Sequence, residues 1–234
     1  MKITISVFLL GIALSSVAQN DSRIKELPFI TRSIGVSFQK FDGLNSRVAN
    51  FPQFETLRDY TATIGLGWLK EYKRLITAGG LNLGSSMSGD RDKKSSTIRY
   101  FGLNADIGYD ILKGEKVMLY PLVGLGYQGY QAIFYKDNSA VLFNDVMQSS
   151  TVQNNIRSVR FNNSFLLYRL GFGVSFKSIK HPENSIGLQA GYSGSFKKRM
   201  WRSSENQMLG NAPGDNLSQF SVGIIFINKP HFMK

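Results

Sequence analysis

Eight stretches of this chain alternate from residue to residue, and in each the same inequality holds between the two faces. Over 60–72, Tyr60, Ala62, Ile64, Leu66 and Trp68 oppose Thr61, Thr63, Gly65 and Gly67. Over 97–112, Phe101, Leu103, Ala105, Ile107, Tyr109 and Ile111 oppose Tyr100, Gly102, Asn104, Asp106, Gly108 and Asp110. Leu166, Tyr168, Leu170, Phe172, Val174 and Phe176 face away from Leu167, Arg169, Gly171, Gly173 and Ser175, and Ile186, Leu188, Ala190 and Tyr192 from Gly187, Gln189, Gly191 and Ser193. Segments 33–41, 75–86, 119–135 and 220–226 repeat the pattern. A period of two is that of a strand. Most of these segments reach the ~9 to 11 residues a tilted strand needs to cross a bilayer, where soluble strands average ~5 or 6.

Which face points inward decides the class. A soluble barrel turns its apolar face in around a ligand, whereas a membrane barrel turns it out to lipid and fills its interior with polar groups and glycine. The connections fall at 42–59, 71–74, 87–96, 113–116, 136–160, 178–184 and 197–216, long and short in turn. Outer-membrane barrels have long extracellular loops and short periplasmic turns. Aromatic residues gather near strand ends on the apolar face: Tyr60, Phe101, Tyr127 and Phe196 toward the long loops, Trp68, Tyr72, Tyr109 and Phe176 toward the short turns. They suit two interfacial girdles. Lipid cannot satisfy the backbone groups of a free sheet edge, so the sheet must close. The expected fold is therefore all-β, an eight-stranded antiparallel up-and-down transmembrane β-barrel.

The glycines of this pattern settle a competing motif. Gly124-Leu125-Gly126-Tyr127-Gln128-Gly129 matches the dinucleotide-binding fingerprint literally. That fingerprint works only where glycines end a strand and open a helix. Here Tyr127, Gly129, Gln131, Ile133 and Tyr135 continue the alternation, so Gly124 and Gly126 line one side of one long strand with Gln128 and no cofactor is expected.

The first residues, MKITISVFLLGIALSSVAQN, carry one basic residue, an apolar run and small residues at Ser16 and Ala18. This predicts a secretory signal over 1–18, cleaved after Ala18, and a single barrel domain over 19–234. The chain has no Cys, which removes disulfides, thiolate metal sites and lipoprotein-type acylation from consideration.

The formal net charge is +12, yet the basic residues are spread over loops and turns, which speaks against nucleic-acid binding. Arg91, Lys93 and Lys94 in the second long connection, and Lys197, Lys198, Arg199 and Arg202 around the fourth, fall where lipopolysaccharide phosphates would lie. A solvated rim would look the same. The two histidines, His181 in a short turn and His231 in the C-terminal tail, are out of reach of loop serines such as Ser149 or Ser204, so no Ser-His pair is expected. Asp90 and Asp92 in a GDRD run read as a turn. No catalytic or metal site is assigned.

The interior carries one sharper expectation. Asn104, Asp106 and Asp110 share an inward face with Arg169 at similar height, and a buried Arg needs a carboxylate partner. We expect an Asp106 to Arg169 ion pair across the lumen, supported by Asp110 or Gln189. The third long connection holds an apolar run, Ala140-Val141-Leu142-Phe143 with Val146-Met147, read as an extension of its hairpin or as a recognition patch, with the hairpin favoured.

On the ending Val17-Ala18-Gln19, the strand Tyr120-Pro121-Leu122-Val123-Gly124-Leu125-Gly126-Tyr127 and the late Ala190-Gly191-Tyr192, the chain resembles the small outer-membrane β-barrel domain proteins of Bacteroidota, related in architecture to the OmpA and OmpX type. The resemblance covers nearly the whole mature chain and implies a barrel but no activity. Many proteobacterial barrels end on a terminal Phe, whereas here 228–234 continues past Phe226. Three roles follow as expectations: a non-enzymatic barrel that anchors surface loops for envelope integrity or contact with another envelope protein, a small-molecule conduit, or a subunit of a secretion machine like the PorT-like barrels.

Overall fold

The computed structural model of the protein describes residues 28–112, 114, 116–178 and 184–229. The proposed signal, Lys180, His181 and His231 lie outside them. Eight long strands form the wall: β1 (Phe29–Gln39), β2 (Tyr60–Tyr72), β3 (Leu75–Gly89), β4 (Ser95–Tyr109), β5 (Val117–Tyr135), β6 (Val159–Lys177), β7 (Asn184–Ser195) and β8 (Ser218–Asn228). Each pairs antiparallel with its sequence neighbour, and β1 pairs with β8 from Ile30↔Asn228 to Gln39↔Gln219, so the sheet closes without an edge. The hairpin β5–β6 is the tallest part of the wall, paired from Val117↔Phe176 to Phe134↔Val159.

The outer face is inverted relative to a water-soluble protein. Ile34 is 63% and Val123 58% exposed, and Ile64, Leu66, Ile107, Leu125, Leu170 and Leu188 stand out beside them. Apolar area left in water costs roughly 25 cal/mol per Å². A continuous belt of this kind is at rest in hydrocarbon, where a closed ladder also leaves no backbone group unpaired.

Glycines let large rings lie flat on this wall. Trp68 pairs with Gly79 across β2 and β3, and Phe101 with Gly129 across β4 and β5. A Cβ at either glycine would overlap the facing ring. Tyr168 covers Gly194 on the outside in the same way, and Tyr100 and Tyr120 cover Gly84 and Gly173 on the inside.

The β2–β3 turn is the tightest of the hairpins. Lys73 and Arg74 occupy its two central positions with φ of 48° and 77°, the left-handed geometry that a two-residue hairpin requires and that Asn or Gly adopts more readily. Arg74 is held there by its guanidinium, which donates to the carbonyls of Asp110 (2.9 Å) and Ile111 (2.6 Å) and lies over the Tyr109 ring. Lys73 has no such anchor beyond the Tyr72 ring. Lys73→Asn is therefore expected to stabilise the barrel by roughly 0.5–1 kcal/mol, read as a higher urea midpoint in detergent.

Three expectations are corrected. The second long connection shrinks to 90–94, because β3 and β4 stay paired up to Gly89↔Ser95, so long and short do not alternate throughout. Within it the Asp90 N–H donates to the Lys94 carbonyl at 3.0 Å, while the Asp90 carboxylate accepts the Asp92 N–H at 3.0 Å. The apolar run of the third connection does not lengthen the hairpin but leads into a short helix, α2 (Phe143–Gln148), which is followed by a second, α3 (Ser150–Asn155). A helix α1 (Asp42–Val48) likewise replaces the start of the first loop.

The interior is also not polar throughout. An apolar cluster of Phe41, Leu44, Val48, Tyr130, Phe134, Phe165, Trp201 and Leu217 fills the long-loop end. A second one, with Leu69, Ile76, Met118, Tyr120, Leu122, Ile225 and Ile227, fills the other. The reason is visible along β5, whose inward residues run Met118, Tyr120, Leu122, then Gly124, Gly126, Gln128, then Tyr130, Ala132, Phe134. Only its middle third is polar or small.

Candidate functional site: lumen, lid and rim

Between the two apolar clusters lies a polar belt. Arg169 Nε donates to Asp106 Oδ1 at 3.0 Å, with the side chains 23% and 4% exposed. The pair does not reach across the lumen. In the sheet register Asp106 pairs with Gly124 and Gly124 with Arg169, so the two charges sit in one transverse row and meet over the glycine between them. Alternate strands are about 10 Å apart, a span that these two side chains bridge only if the middle residue has none. A Cβ at Gly124 would overlap the Asp106 carboxylate. The other carboxylate oxygen accepts from Asn104 Nδ2 at 2.6 Å, and Asn104 in turn accepts from Asn82 at 2.8 Å.

Asp110 stands apart from this row. Its carboxylate accepts the backbone N–H groups of Leu112 (3.2 Å) and Leu119 (3.1 Å) and so closes the β4–β5 connection. Gln189 lines, with Asp106 and Arg169, both small cavities beside the pair, of about 90 and 70 Å³. Higher up, Gln128 donates to Gln219 (2.9 Å), and the Tyr130 hydroxyl donates to Gln128 (2.8 Å). Space remains for a few waters, but not for an open channel.

The top is a lid that the sequence does not announce. Helix α1 has no capping side chain of its own. Its first free N–H groups, on Gly43 and Leu44, donate to the Asp215 carboxylate at 2.6 and 3.1 Å. The same carboxylate accepts from Trp201 Nε1 at 2.6 Å. One buried acid thus ties the first connection to the fourth and fixes the Trp201 ring, which meets Phe41 edge-on at 5.5 Å. Gly43 has no room for a Cβ, which would strike the Gly214 carbonyl. Asn45 fastens the return, accepting from Leu57 N (2.9 Å) and donating to its carbonyl (3.0 Å). The signals that could have pointed to it are an Asp flanked by Gly214 and Asn216, and a lone Trp in a polar loop.

The rim cations divide. Arg91 and Lys93 are exposed on the β3–β4 turn, while Lys94 turns back to Glu55 (3.7 Å) and the Pro52 carbonyl (3.1 Å). Lys197 and Lys198 stand exposed after β7. Arg199 pairs with Asp215 in a two-residue ladder, and Arg202 pairs with Asn162 on the flank of β6. Above them all, Phe143 on α2 is 77% exposed, with Leu142 and Met147 beside it. Asp137, at the foot of this excursion, is held below the usual carboxylate range by hydrogen bonds from the Ser139 hydroxyl and N–H.

Fold and exterior define the class: a closed eight-stranded antiparallel barrel with an apolar outer wall and a filled lumen. No protein-family model matches the chain, and no curated protein does. Among solved structures the chain is similar to Ail, the attachment invasion locus protein of Yersinia pestis, at 17% identity and a TM-score of 0.47, over 86% of this chain and 97% of that one. It is similar to a major outer membrane protein of Thermus thermophilus at 12% identity and a TM-score of 0.49, over 86% and 100%. Outer membrane protein OprG of Pseudomonas aeruginosa follows at 15% and 0.45, over 88% and 98%.

Proposed function

We propose that this protein is a non-enzymatic, non-conducting barrel of the outer membrane, exported with a signal cleaved after Ala18, that holds external structure in place for contact with another envelope component. The observation that carries this reading is the pairing of a lipid-compatible wall with a lumen filled from end to end. A wall without a path through it serves to anchor what stands on it. What it anchors is a rigid lid, Lys and Arg residues suited to lipopolysaccharide phosphates, and an apolar tip on the tallest hairpin. That tip favours a second form of the reading, a barrel subunit of a larger export assembly of the PorT-like kind.

The test is fractionation with the outer membrane together with a gel shift between unboiled and boiled samples, since a closed ladder resists detergent until heated. Protease added to whole cells should cut within 137–157 before the lid. A chain found in the soluble fraction sinks the proposal. Intact mass of the extracted protein is expected to lack residues 1–18, and a mass that retains them would reject the signal.

A further inference from the structure

We propose that the outer flank of β4, β5 and β6, just above the apolar belt, is a docking ledge for the phosphate groups of an acylated, phosphorylated lipid of the outer leaflet. The proposal rests on the membrane reading above and adds to it a place and a ligand chemistry. Register puts Arg99 beside Gln131, Gln131 beside Asn162, and Asn162 beside Arg202, one polar row around the wall. That these groups share the outer face is shown by their contacts. Gln131 Nε2 donates to Asn162 Oδ1 (3.5 Å), and Asn162 Nδ2 to the Ser204 carbonyl (3.2 Å). Arg160, one step higher on β6, is exposed and bonded only to Ser158 Oγ (3.2 Å).

The row immediately below is Leu83, Phe101, Gly129 and Ser164, with Leu103 and Tyr127 beneath it. The ledge thus marks the step from hydrocarbon to headgroup. Arg99 is exposed there, and among the described residues its side chain makes no hydrogen bond or ion pair. A guanidinium held at headgroup height, with no carboxylate beside it, is matched by a phosphate, which it grips bidentately. Arg99 and Arg202 lie three strands apart, about 14 Å, which suits a headgroup carrying more than one phosphate. The lipid's acyl chains would run down the wall over Phe101 and Leu103.

The experiment places the full barrel in phosphatidylcholine vesicles doped with lipopolysaccharide or with the same lipid after phosphatase treatment, and weighs the retained lipid by native mass spectrometry. The wild type is expected to retain the phosphorylated form on the order of a hundredfold better than the R99Q/R160Q/R202Q variant, from about a fivefold effect at each of the three exposed cations. A K40Q/R58Q variant, with its changes beside the upper ends of β1 and β2, keeps wild-type retention, and the boiling-dependent gel shift certifies that each variant is folded. Equal retention by the triple variant, or of the dephosphorylated lipid, overturns the ledge. So does displacement of the lipid by inorganic pyrophosphate alone, which would assign a soluble anion. A wild type that stays out of the vesicles overturns the membrane reading as well, whereas an incorporated barrel without selectivity overturns only the ledge.

Discussion

Asp215→Ala is expected to unfasten the lid while leaving the wall closed. The carboxylate is nearly fully buried and accepts three N–H groups, those of Gly43, Leu44 and Trp201 Nε1. Each buried donor left without an acceptor costs roughly 1–3 kcal/mol, so the loss is about 3–9 kcal/mol before relaxation. Relaxation will recover part of it by letting α1 and the Trp201 loop move out into water. The change is then read locally: in a Trp68→Phe background, Trp201 emission should shift to the red, and protease should gain access to 42–59. The boiling-dependent gel shift should persist, because no wall hydrogen bond is touched. Asp215→Asn keeps an acceptor oxygen and should lie between the two. Unchanged Trp201 emission in the Ala variant would falsify the latch.

This latch shows where sequence reading reached its limit. The wall was legible because alternation is a local signal: each strand announces its own two faces, and closure follows from what lipid demands of backbone groups. The lid was not legible, because Asp215 and Gly43 are far apart in the chain and a connection looks polar whether it waves in solvent or folds inward. The helices α1 and α2 were missed for a related reason. Each is short and marginal by propensity, and for α1 it is tertiary contact that decides. Leu44 and Val48 form a helical face only because the barrel mouth offers a place to bury it.

The interior was half legible. Asp106 and Arg169 could be set on inward faces at matching heights, but the register that puts Gly124 between them is a property of three strands at once. Two of the glycines that imitate a nucleotide fingerprint, Gly124 and Gly126, leave room for the ion pair, while Gly129 lies under the Phe101 ring on the outer face. The apolar ends of β5 could have been read from Met118 to Leu122, where both faces are apolar, and from the inward-facing Tyr130, Ala132 and Phe134. A strand greasy on both sides inside a membrane barrel has to be filling the lumen.

From this geometry Asp106→Ala is expected to destabilise the barrel without opening it. Removing one partner of a fully buried pair costs about 3–5 kcal/mol, because the remaining charge is left uncompensated. Arg169 retains some exposure toward the two small cavities, so water recovers part of that and about 2–3 kcal/mol remains. Asn104 also loses its acceptor. Asp106→Asn should cost less, since an amide oxygen can still accept from Arg169 Nε. Urea midpoints in a fixed detergent measure both. Conductance is expected to stay at baseline in the wild type and in both variants. The Phe41–Trp201 cluster closes the lumen above and the Ile76–Tyr120 cluster below, and neither depends on the pair. Steady, wide conductance of the wild type in planar bilayers would overturn the filled lumen and favour a small-molecule conduit. Conductance that appears only in Asp106→Ala would make the ion pair, rather than the apolar ends, the seal.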